Sequence, residues 1–97
     1  MVFLVVADLR SKDVIVRERL DAEIRKMGNW SSRFPTVWLV ESNNLGARKI
    51  RDRLTPHLKD ADRLFVARIS RNWAGRNMGE GFAEWMQRRE FGDFPNG

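Results

Sequence analysis

The sequence predicts an α+β domain of the ferredoxin-like kind: βαββαβ order, a four-stranded antiparallel sheet, two helices on one face and a short C-terminal helix. Three observations predict it. Val2 to Ala7, an uninterrupted apolar run, reads as a strand covered on both faces, Val37 to Val40 is the other most apolar run, and this topology puts the first and third strands in the middle of the sheet. Two amphipathic stripes at helical spacing fall between strands. The order strand, helix, strand, strand, helix, strand then fits the split βαβ plan.

Taken in order, the first strand delivers Asp8 to the rim of the sheet, and Ser11 or Asp13 can cap the helix that follows. Val16, Leu20, Ile24 and Met27 make the buried stripe of that helix, with Arg17, Glu18, Asp21, Arg25 and Lys26 toward solvent. Gly28-Asn29 stops it, and Trp30 to Phe34 forms a short strand that Pro35 restricts to an edge. Thr36 to Glu41 is the third strand. Ser42-Asn43-Asn44 closes it and caps a second helix with the stripe Ala47, Ile50, Leu54 and Leu58, whose last turn is kinked or separate at Pro56.

Arg63 to Ile69 is the last strong strand, with imperfect alternation. Ser70 to Gly81, rich in Gly and Asn, reads as a loop, and Phe82, Trp85 and Met86 at helical spacing read as a short closing helix. The domain thus runs over residues 1–90, with 91–97 as a tail that frays unless Phe91 or Phe94 docks.

Two helices cover one face of such a sheet, yet the first strand is apolar in both of its alternating sets: Phe3, Val5, Ala7 and Val2, Leu4, Val6. Either the third helix covers the second face or a second copy stacks there about a two-fold axis; the expectation is a homodimer, with Val2, Leu4, Val6, Trp38 and Trp73 at its interface.

Composition narrows the chemistry. With no cysteine and a lone His57, thiolate and His-cluster zinc sites are excluded. The first strand is too short and too soon followed by charge to be a signal h-region or a membrane span, so a cytoplasmic protein is expected. Eighteen Lys and Arg against thirteen acids give a net charge of +5. Fourteen of the eighteen are Arg, a side chain suited to bidentate contact with phosphate or carboxylate. RNA or DNA is therefore a candidate partner, as is another protein.

Several segments together resemble the SinR-like small proteins: the strand ending in Ala7-Asp8-Leu9, the Trp30-initiated strand running into Thr36-Val-Trp-Leu-Val40, the helix Ile50-Arg-Asp-Arg-Leu54, the strand Asp62-Arg-Leu-Phe-Val66 and Arg71-Asn-Trp-Ala-Gly75. That group in turn resembles the small CRISPR-associated spacer-acquisition protein and the virulence-associated protein D toxins. The resemblance implies a ferredoxin-like homodimer. It also implies a strand-end Asp, here Asp8, assigned to metal-dependent phosphodiester cleavage together with its symmetry mate, or else a non-catalytic bridge that binds duplex DNA along its basic rim. The Tyr that commonly precedes the Asp in CRISPR members is replaced by Ala7.

From the residues, Asp8 is a candidate magnesium ligand and catalytic group, a turn former, or the partner of Arg10. Arg10, Lys12, Arg33, Arg68, Arg71 and Arg76, near strand ends and loops, are the candidate phosphate contacts, with Trp73 beside Arg71 and Arg76. The cluster from Arg48 to Arg53 reads as a solvated helix face.

Overall fold

The computed structural model describes residues 1–92. Its elements are β1 (Val2–Asp8), α1 (Val14–Arg25), β2 (Trp30–Phe34), β3 (Val37–Glu41), α2 (Ala47–Leu54) with a 3₁₀ turn over Thr55–His57, β4 (Arg63–Ile69) and α3 (Phe82–Gln87). The strands form one antiparallel sheet in the order β2-β3-β1-β4, which is the expected ferredoxin-like topology. No helix among the described residues is long and apolar enough to cross a membrane.

Asp13 is the residue that caps α1: its carboxylate accepts the Ile15 amide at 3.0 Å. Ser42 does not cap α2. Its hydroxyl accepts the Leu45 amide at 3.2 Å, a turn earlier, and Gly46 stands at the N-cap with no side-chain bond. Pro56 falls in the 3₁₀ turn that ends α2, where its ring is compatible with the backbone and no helical amide is lost.

Strand alternation divides the sheet cleanly. Phe3, Val5 and Ala7 of β1 face α1 and α2 and join Leu20, Ile24, Ile50 and Leu54 in the main core. Each fully buried aliphatic side chain there contributes about 1.5 to 3 kcal/mol. Because Val5 stands opposite Trp38 and Phe3 opposite Val40, Trp38 belongs to this helix-side layer. It is 1% exposed, and its indole Nε1 donates to Asp21 Oδ1 at 3.0 Å. Its expected place at a subunit interface is therefore corrected: the ring is a core group of the single chain.

Val2, Leu4 and Val6 point to the other face. There Val2 is buried in a second cluster with Phe82, Met86 and Phe91, so α3 and the segment after it cover the Val2 end of the sheet. Val2 too is enclosed by its own chain and not by a neighbour. Trp73 packs edge-on against Phe82, with ring centroids 5.8 Å apart, so it also serves this intramolecular cluster. Phe91 docks, which holds the chain in place as far as that residue; Phe94 lies outside the described residues.

Charged side chains fasten the segment. Glu41, at the end of β3, accepts from the Asn29 amide nitrogen, the Arg89 guanidinium and the Glu90 main-chain amide. Burial alone raises the Glu41 pKa, but the Glu90 and Asn29 donors, Arg89 and the N-terminal ammonium outweigh it and hold the carboxyl below its usual value. A depressed folded-state pKa contributes stability that is present above the ordinary Glu value of about 4.3 and lost as pH falls through the folded value. Acidification below about pH 4 is thus expected to loosen residues 89–92, seen as pH-dependent shifts of the Glu90 and Phe91 amide resonances. Glu41→Gln should abolish that titration, and an unchanged profile in the variant would assign it to another group.

Candidate functional site

The rim around Asp8 is built by two loops stitched together. Lys59 Nζ reaches Asp13 at 2.6 Å, while Asp62 accepts from the Ser11 amide at 2.9 Å, the Ser11 hydroxyl at 3.1 Å and the Lys59 amide at 2.9 Å. These donors to Asp62, the Ser11 amide foremost, lower its pKa against the opposing effect of desolvation. The Lys59 ammonium and the Ile15 amide do the same for Asp13. Both carboxylates are thereby committed to holding the loops. Ser11 and Asp13 follow Asp8 closely in the sequence and could add oxygens beside it, but the fold uses them for capping and cross-linking.

Asp8 itself is exposed and forms an ion pair with Arg10, Oδ2 to Nε 2.9 Å. It stands opposite Arg63 in the β1–β4 register. By strand parity it lies on the face that carries Leu4 and Val6, beyond Val6 and away from α3. A magnesium ion needs a shell of oxygen ligands. Among the described residues no three His, Cys, Asp or Glu side chains come together as a metal site, and Asp8 has cations for neighbours. Taken by themselves, the described residues do not fit the ion.

The candidate phosphate contacts separate into two groups. Arg33 donates to the Met78 and Glu80 carbonyls at 3.1 and 3.2 Å and lies over the Phe82 ring at 5.8 Å. Arg68 donates to the Phe91 carbonyl at 2.8 Å, and Arg71 donates to the Arg89 carbonyl at 3.2 Å and stacks on Phe91 at 5.0 Å. These three brace the C-terminal segment against the sheet. Arg10, Lys12 and Arg76 remain exposed, and Arg63 joins Arg10 at the Asp8 rim. Lys12 occupies a left-handed turn, φ 54°, that turns the backbone toward α1.

Between the Asp8 rim and α3 lies a half-sheet that the described residues do not cover. Leu4, Val6 and Val37 are half-buried on it, and two phenylalanines stand proud, Phe34 at 53% and Phe65 at 62% exposure. The register joins them into one strip: Phe34 opposes Val37, Val37 opposes Val6, and Val6 opposes Phe65. Where the strip meets α3, a slot of about 70 Å³ opens between Leu4, Phe34, Val37, Met78 and Phe82. Leu4 and Val6 of the expected interface are here; Phe34, Val37 and Phe65 were not identifiable from sequence. In β4 both alternating sets contain apolar residues, so only the register shows that Phe65 faces away from the helices.

No family model, curated protein or solved structure matches this chain.

Proposed function

We propose that the chain is a homodimeric nucleic-acid-binding module of the SinR-like, CRISPR-adaptation kind, in which two protomers stack their uncovered half-sheets about a two-fold axis. The observation that carries this reading is the strip from Phe34 to Phe65, two exposed aromatic rings aligned with Val37 and Val6 on a face that α3 leaves open. Exposed aromatic area of this kind is characteristic of the centre of an interface, and a two-fold axis makes one strip its own complement. The cations Arg10 and Arg63 stand with Asp8 at the end of the strip, with Lys12 exposed in the turn that follows, so stacking doubles them into a basic rim suited to a phosphate backbone. The net charge of +5 acts in the same direction.

A second reading, divalent-metal-dependent RNA or DNA cleavage, draws on the position of Asp8 on that same open face. Stacking the half-sheets brings in a second Asp8 from the partner, supplying the carboxylate that a single protomer lacks. In this reading the two Asp8 carboxylates would hold a divalent ion that would supply charge neutralisation for the substrate phosphate, and Arg10 would exchange its partner.

The two readings part in one experiment. Purified protein is incubated with labelled RNA and DNA in magnesium, manganese or chelator, beside Asp8→Asn. The binding module is expected to retain intact nucleic acid in both proteins, with affinity falling steeply as salt rises. Metal-dependent cleavage lost in Asp8→Asn would establish the second reading instead. A monomeric mass by light scattering at micromolar concentration would remove both.

A further inference from the structure

The two edges of the sheet are guarded differently. β2 has an irregularity between Ser31 and Phe34 and is followed by Pro35, features that discourage another strand from pairing. β4 pairs with β1 in unbroken register over seven residues, and its middle, Leu64-Phe65-Val66-Ala67, has no charge, proline or bulge. Such an edge is a template for a further strand.

The hydrogen-bonding direction of that edge follows from β1. The Ala7 amide donates to the Thr36 carbonyl and the Met1 carbonyl accepts from Ser42, so the odd residues of β1 direct their main chain toward β3 and the even ones toward β4. Phe65 and Ala67, opposite Val6 and Leu4, therefore turn their main chain inward. Leu64 and Val66 direct theirs outward, where the described residues provide no neighbouring strand. Above this edge lies a groove of about 300 Å³ lined by Ala47, Arg48, Arg51, Leu64, Phe65 and Val66. Its α2 wall presents Arg48 and Arg51, and the helix as a whole holds four cations against the single acid Asp52, which makes a solvent-exposed pair with Arg51 at 2.8 Å.

We propose that the β4 edge receives an extended acidic segment of a partner protein, added as a fifth strand whose alternate carboxylates meet Arg48 and Arg51. Charge selects this occupant. Pairing β4 with β4 of a second copy would set two α2 helices side by side on one face, bringing Arg48 and Arg51 against their own images. A nucleic acid would satisfy the arginines but leave the outward amides and carbonyls of Leu64 and Val66 without a ladder. The inference is independent of the proposed dimer, which uses the face of the sheet and leaves this edge open.

The test uses a fluorescent peptide of about ten residues with Glu at alternate positions and Val or Thr between them, a Lys-for-Glu counterpart, and a labelled single-stranded RNA of comparable length. Anisotropy with the intact protein is expected to show the Glu peptide binding at least about tenfold more tightly than the Lys peptide, with that preference lost in the Arg48→Glu, Arg51→Glu double variant. N-methylation of the Glu peptide on one alternating set of amides should abolish binding, and on the other set leave it intact, since only one set faces β4. This arm leaves the protein unaltered, so its folding is not in question. Equal binding of both peptides, indifference to N-methylation, or RNA binding that depends on Arg48 and Arg51 while the Glu peptide does not bind would each overturn the proposal.

Discussion

Phe65→Asp is expected to raise the dissociation constant of the proposed dimer by about a thousandfold while leaving the fold of the single chain intact. The ring is 62% exposed in the isolated chain, so its removal takes little from the monomer's own core. In a two-fold assembly the same ring is buried twice. At about 2 kcal/mol for each phenylalanine brought out of water, the pair accounts for about 4 kcal/mol, which is about three orders of magnitude in affinity. The new carboxylate adds a desolvation cost at the centre of the interface. Sedimentation velocity across a concentration series reads the constant directly, and far-ultraviolet circular dichroism confirms that the strands persist. A dimer unaffected by Phe65→Asp would place the interface elsewhere on the surface.

Gly28→Ala is expected to lower stability by about 3 kcal/mol, which for a domain of this size corresponds to a fall in Tm of roughly 12 to 24 °C. Gly28 follows α1 and turns the chain into β2 with φ +155°. A β-carbon built there would stand 1.9 Å from the Glu41 carbonyl oxygen, which is backbone and cannot rotate aside. The obstruction falls where Glu41 donates its amide to the Asn29 carbonyl at 2.8 Å, so relief requires β2 to separate from β3. Gly46 provides the control. Open space surrounds its β-carbon position, and as the N-cap of α2 it is expected to accept Ser without loss. Urea unfolding of both variants checks the contrast, and equal midpoints would show that the turn at Gly28 adapts.

Much of this architecture is legible in the residues because short-range patterns carry it. The α1 stripe Val16, Leu20, Ile24 is buried as its spacing requires, and β1 and β3 occupy the centre of the sheet as their apolar runs require. Periodicity reports that a residue is buried without reporting by what. Trp38 therefore reads equally well as a core or an interface group, and Val2 as covered by either α3 or a second copy. In the same way, Arg33, Arg68 and Arg71 read as surface cations until the segment from Trp73 to Phe91 folds back and offers them main-chain carbonyls.

Local pattern is enough to read off the order of elements, the central strands, the lack of thiolates for a metal and the position of Asp8 at a strand end. Long-range contacts are needed to show which cations are engaged within the molecule, which half of the second face the described residues leave open, and that Asp8, Val6 and Phe65 share that face. The physical reason is strand register. A shift of one residue between β1 and β4 would exchange every side chain of β4 between the two faces, and no local pattern in β4 specifies that choice. It is set by long-range packing, with Leu64 and Val66 against the helix-side core and Ile69 against α3, and it leaves Phe65 exposed between them.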